Sequence, residues 1–111
     1  MTTAQLIVFP TKDAERAKQL FTSLLGTAPY VDAPYYVGFR TEDQEIGLDP
    51  HGASSGPIAY WNTEGIAAKV AELTAAGWRV TSDAKDVGGG MLVAQLSDGN
   101  GSTIGLRQSP K

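Results

Sequence analysis

Apolar positions along this chain switch between two spacings, and the switch happens twice in the same order. Leu6, Ile7, Val8 and Phe9 make Gln5 to Pro10 a nearly continuous apolar run, which predicts a strand covered on both faces and ended by the proline. Ala14, Ala17, Leu20, Phe21, Leu24 and Leu25 then fall three and four residues apart, predicting a helix from Asp13 to Gly26 with one apolar stripe. Thr11, Lys12 and Asp13 offer capping side chains, and Gly26 is a good stop. Three short strands follow, over residues 29–32, 35–40 and 44–48, separated by turn signals at Ala33-Pro34 and Thr41-Glu42-Asp43. The pattern then restarts. Residues 57–62 read as a strand, and residues 65–77 as a helix capped by Thr63 or Glu64, with Ile66, Ala67, Val70, Leu73 and Ala76 facing inward. Residues 78–82 form a strand, and 91–96 with 103–106 a hairpin across Ser97 to Ser102.

The repetition is also literal. Glu45-Ile46-Gly47-Leu48-Asp49 returns as Thr103-Ile104-Gly105-Leu106-Arg107, and setting Asp13 over Gly65 places Phe21 on Leu73 and Leu6 on Ile58. The expected fold is therefore α+β, built from paired βαβββ modules. Module 1 runs over 4–49, a linker over 50–56 and module 2 over 57–108, all within one domain of 111 residues. A module of this size buries too little surface to stand alone, so pairing is required, within one chain or by exchange between two.

Composition removes several function classes. Apolar residues make up 41% and charged residues 19%, as in an ordinary globular protein. A net charge of −3 with nine scattered Lys and Arg argues against a nucleic-acid surface. Cysteine is absent, which removes disulfides, thiolate nucleophiles and cysteine metal sites, and suits a reducing compartment. The opening MTTAQLIVFPTKD lacks the pattern of a signal peptide, and no stretch is apolar for long enough to span a membrane, so cytoplasmic location is expected, with no membrane partner.

Candidate chemistry is sparse. Gly88-Gly89-Gly90 precedes a strand rather than a helix and so reads as a turn or lid, not a phosphate loop. Asp98 to Ser102 lacks the bidentate acid of a calcium loop and reads as a hairpin turn. The single histidine, His51, lies in the linker beside Asp49, with Glu45 on the same strand face; this is an incomplete donor set and an exposed linker residue is the expectation. No nucleophile triad is present. Asp49, Glu45 or Tyr60 with Arg107 could serve acid–base chemistry, but no spacing singles them out.

Taken together, Thr11-Lys12-Asp13 with Phe21 and Leu24-Leu25-Gly26, Ile58 to Trp61 with Leu73 to Gly77, and Asp98-Gly99-Asn100 with Ile104-Gly105-Leu106 resemble the vicinal oxygen chelate superfamily, the glyoxalase, bleomycin-resistance and extradiol-dioxygenase group. The resemblance covers essentially the whole chain. It implies paired βαβββ modules, a mixed curved sheet around a concave cavity, and a homodimer. It also implies a divalent metal held by four His, Gln or Glu side chains, one from the first and last strand of each module. Carried over by position, those places are Leu6, Gly47, Ile58 (Pro57 if the register slips) and Gly105, none of which supplies a donor. Val8, Pro10, Tyr60 and Asn62, which share their face, do not rebuild the set. The expectation is no metal ligand, no cofactor and no catalytic residue.

What is left is room lined by apolar surface and aromatic faces. The expected partner is a planar, largely hydrophobic small molecule, sequestered without chemistry as the bleomycin-resistance branch does. Leu6, Val8, Tyr36, Gly47, Asp49, Ile58, Tyr60, Asn62, Gln95, Gly105 and Arg107 are the expected ligand-binding residues. Trp61 has the opposite strand parity to Tyr60, so with Tyr60 in the cavity Trp61 packs under the helix. The first-half tyrosines Tyr30, Tyr35 and Tyr36 are either strand packing or a stacking wall. Two alternatives stay open: a lyase or oxidoreductase with a non-standard site, and a dimeric interaction protein without ligand. In the last case Gly47 and Gly105 only permit close strand packing.

Overall fold

A computed structural model describes residues 4–51 and 56–110. Of the expected linker, residues 52–55 lie outside the described residues. The element order is β1 (Ala4–Pro10), α1 (Ala14–Leu25), β2 (Val31–Ala33), β3 (Tyr36–Arg40), β4 (Glu45–Asp49), β5 (Ile58–Asn62), α2 (Ile66–Ala75), β6 (Arg79–Asp86), β7 (Leu92–Ser97) and β8 (Thr103–Gln108). This is an α+β fold with the βαβββ order present twice. Two compact units divide the chain, one over Gln5–Ile58 and one running from Ala59 through the last strand. No helix among the described residues is long and apolar enough to cross a membrane.

In the first unit the strands lie in the order β2, β3, β4, β1. β1 and β4 are parallel, with Val8 beside Gly47, and β3 runs antiparallel to β4 with Gly38 beside Gly47. One face carries Val37, Phe39, Ile46 and Leu48, with Ile7 and Phe9, and buries them against Ala17, Phe21 and Leu25 of α1. Phe21 links the layers, its ring 5.0 Å from that of Phe9 and 6.2 Å from that of Phe39. The Asp13 carboxylate accepts from the Arg16 N–H at 3.0 Å, and Gly26 closes the helix at φ 69°, a conformation open to glycine. The stripe is narrower than its spacing predicts. Leu20 and Leu24 are 57% and 74% exposed, because only the line 17, 21, 25 meets the sheet and its neighbours turn away.

In the second unit the order is β5, β8, β7, β6. β5 and β8 are parallel, with Tyr60 beside Gly105 and Asn62 beside Arg107. Ile66, Ala94, Leu96 and Leu106 form the core, with Trp61, Val70, Leu73, Trp78 and Ile104 packed around them. Ala67 and Ala76 are exposed, contrary to their spacing; small side chains at the edge of the stripe gain little from burial. The expected cap of α2 is also different. Among the described residues Thr63 Oγ1 accepts from the Gly65 N–H, at 3.3 Å, and makes no bond to α2, whereas Gln108 Oε1 at the end of β8 accepts from the Ile66 N–H at 2.8 Å. β6 runs four residues past the predicted Ser82, through Asp83-Ala84-Lys85-Asp86. That extension carries no apolar alternation and is held by pairing with β7, across two register shifts. Gly88, Gly89 and Gly90 all have positive φ and turn β6 into β7. Asp98 Oδ1 accepts from the Asn100 and Ser102 N–H groups, at 2.7 and 3.0 Å, so the second glycine-rich piece is a hairpin turn.

Candidate functional site

Strand alternation gives the strands of each unit a face turned away from its helix, and most of the residues singled out in the sequence stand there. In the first unit this face holds Tyr36 and Gly47. A Cβ built on Gly47 would lie 2.8 Å from Cε1 and Cζ of Tyr36 and would strike its hydroxyl, so the tyrosine ring occupies the space a side chain at 47 would need. Tyr30 and Tyr36 flank Gly38 in the same way, each 3.1 Å from its virtual Cβ. The Tyr30 hydroxyl donates to Glu45 Oε2 at 2.5 Å, and the Arg40 guanidinium lies 4.3 Å from the Tyr30 ring centroid. Partial burial, and then the Glu45 carboxylate, hold the Tyr30 phenol above its ordinary value. Leu6 is buried and Val8 half-buried.

The second unit repeats the arrangement with different partners. The Tyr60 ring lies over Gly105, its Cγ 2.7 Å from a Cβ built there, and Tyr60 is only 6% exposed. An aromatic ring laid on a cross-strand glycine shields backbone that would otherwise face water. Gln95 Nε2 donates to the Tyr60 hydroxyl at 2.8 Å. Arg107 Nε donates to Asn62 Oδ1, also at 2.8 Å. Tyr60, Gln95 and Gly105 are thus brought together, as are Asn62 and Arg107. Ile58, at the head of β5, is buried.

These geometries bear on the metal implied by the resemblance. Leu6 and Ile58 carry only hydrocarbon, and at Gly47 and Gly105 tyrosine rings exclude even a methyl group. The four places do not fit a divalent ion. The displaced candidate does not fit either: Asp49 Oδ1 accepts from the His51 N–H at 2.9 Å, Glu45 is engaged by Tyr30, and His51 is exposed. Among the described residues no group of three or more His, Cys, Asp or Glu side chains could hold a metal ion.

Trp61 packs against the core under α2, as its parity requires. On that side lies a groove the sequence reading missed, lined by Trp61, Leu73, Trp78, Ile104 and Leu106, with Asn62, Glu64, Lys69 and Gln108 at its rim. The signal for it was available only in part: both tryptophans fall in one module, but periodicity marks Leu73 and Leu106 simply as core.

The family model described as Glyoxalase/Bleomycin resistance protein/Dioxygenase superfamily matches residues 4–106. No curated protein matches significantly. Among solved structures, the chain is similar to a glyoxalase/bleomycin resistance protein/dioxygenase superfamily member from Vibrio splendidus, at 14% identity and TM-score 0.70, covering 98% of this chain and 100% of that one. It is similar to Streptomyces coelicolor methylmalonyl-CoA epimerase at 15% identity and TM-score 0.72, covering 100% and 99%. A protein described as an NAD-dependent benzaldehyde dehydrogenase from Legionella pneumophila aligns at 12% identity and TM-score 0.77, covering 94% and 97%. At such identities the likeness is one of fold.

Proposed function

We propose, from the premise that this chain belongs to the glyoxalase/bleomycin resistance protein/dioxygenase superfamily, that it is a metal-free member which binds and sequesters a planar hydrophobic or aromatic small molecule. The observation that carries this reading is the pair of tyrosines, Tyr36 and Tyr60, standing over the two glycines where relatives would project metal ligands. Aromatic faces replace charged donors there, and contact replaces coordination. Tyr60 held by Gln95, and Arg107 held by Asn62, supply fixed polar groups for the edge of a guest. No proton transfer or bond cleavage is assigned to any residue. The protein acts in the cytoplasm as a homodimer, and the exposed Leu20 and Leu24 on α1 support the dimer alone.

The test is metal analysis of the dialysed protein together with a thermal-shift screen against planar aromatic compounds. Absence of stoichiometric metal and a raised melting temperature with a subset of compounds is expected. Stoichiometric Ni, Zn, Fe or Mn that survives dialysis would overturn the reading.

A further inference from the structure

On the helix side of the second unit's strands, the face opposite Tyr60, an open groove of about 1140 Å³ lies beside α2, so size does not limit a guest of the kind that fills ~300–1,000 Å³ sites. Trp61, Ile104 and Leu106 come from adjacent strands, and Leu73 and Trp78 from the end of α2 and just beyond it. These five side chains are apolar, and two carry flat indoles. Four are half-buried, with Leu106 beneath them, so one side meets the core and the other the groove.

Among the polar groups lining this surface, one amide is fixed in orientation. Gln108 spends its carbonyl oxygen on the Ile66 N–H, which fixes the amide and turns its NH2 end away from that bond. Both indole N–H groups can only donate. At the mouth, Lys69 and Glu64 are opposite in charge, so the rim selects neither cation nor anion, and the Lys69 ammonium is further engaged by Glu72 at 2.7 Å. A charge-balanced groove with aromatic walls and one fixed amide donor is complementary to a neutral, flat molecule that brings an acceptor.

We infer that the groove beside α2 is a binding site for neutral planar aromatic ketones, seated against Trp61 and Trp78 with a carbonyl oxygen accepting from the Gln108 amide. It lies on the strand face opposite Tyr60 and does not depend on the proposed function.

The test uses the full isotope-labelled chain and a matched pair of probes, fluorenone and fluorene, which differ by one carbonyl. Both tryptophans of the protein line the groove, so their indole N–H resonances report on it directly. Fluorenone is expected to shift both indole signals and to bind about five-fold tighter than fluorene, the worth of one net hydrogen bond. The variant Gln108→Glu keeps an oxygen for the Ile66 N–H but removes the NH2 donors. It is expected to retain the melting temperature and lose the preference for fluorenone. Equal binding of the two probes, or unmoved indole signals with either, overturns the inference. Shifts confined to Tyr60 and Gln95 overturn it too while leaving the proposed function standing.

Discussion

The ring of Tyr60 stands where the first side-chain atom of any residue but glycine at position 105 would have to be, with Tyr60 Cγ itself 2.7 Å from that point. The obstructing atoms belong to the root of a buried ring, which cannot swing aside without moving β5. Gly105→Ala is therefore expected to cost about 1–3 kcal/mol, the usual range for overpacking. At Gly47 the obstruction is the far end of Tyr36, a half-buried side chain, rather than the root of a buried ring, so Gly47→Ala is expected to cost less. Urea denaturation of the two variants checks the order; equal costs, or a harmless alanine at 105, would contradict it.

The helix cap supplied from β8 makes a second prediction. Gln108→Ala leaves the Ile66 N–H without its acceptor and is expected to lower stability by about 0.5–2 kcal/mol, as loss of an N-terminal cap does. Thr63→Ala, which removes only a long contact to the Gly65 N–H, is expected to change stability by less than about 0.5 kcal/mol. Thermal melts of the two proteins decide between β8 and the preceding loop as the source of the cap.

Exposed leucines on α1 give a third. Leu24→Glu adds a charge to a side chain 74% exposed, so the fold is expected to survive unchanged while any dimer built on this face dissociates. Light scattering on the wild type and variant reads the outcome. A wild-type monomer, or a variant dimer as stable as the wild type, would remove α1 from the interface.

Acid titration of the last hairpin turn gives a fourth. The Asn100 N–H first, and the Ser102 N–H with it, hold the Asp98 carboxyl below its ordinary value of 3.8. A depressed folded value means that the contribution of this turn is complete above pH 3.8 and is lost as pH falls through the lower folded value. Amide exchange at Asn100 and Ser102 is expected to accelerate in that acid window, and the acceleration to vanish as a pH-dependent step in Asp98→Asn.

Most of the fold was legible because the two periods are clean where burial is strong. Ile7 and Phe9 on β1, and Phe21 on α1, fall on their expected faces since each has a single way to leave water. The misses have local causes. Leu20 and Leu24 fit the helical spacing, yet a 12-residue helix on one sheet can bury only a narrow line. Residues Asp83 to Asp86 of β6 follow their partner strand rather than any pattern of their own. The cap of α2 was invisible because Gln108 lies 42 residues from Ile66. At the candidate site, vacancy of ligands at Leu6, Gly47, Ile58 and Gly105 could be read from residue types alone. That tyrosine rings stand over both glycines could not, since only register brings Tyr60 beside Gly105 and Tyr36 diagonally across from Gly47.

Because the amino end of α2 is completed by an amide from the closing strand, this helix has no finished start while the chain is still being made. The strand that carries Gln108 also lies between β5 and β7, so the pairing that joins the second unit forms in one late step rather than growing outward from its helix. Nascent chains in which β8 has not emerged should remain open to proteases along α2, and those in which it has emerged should not.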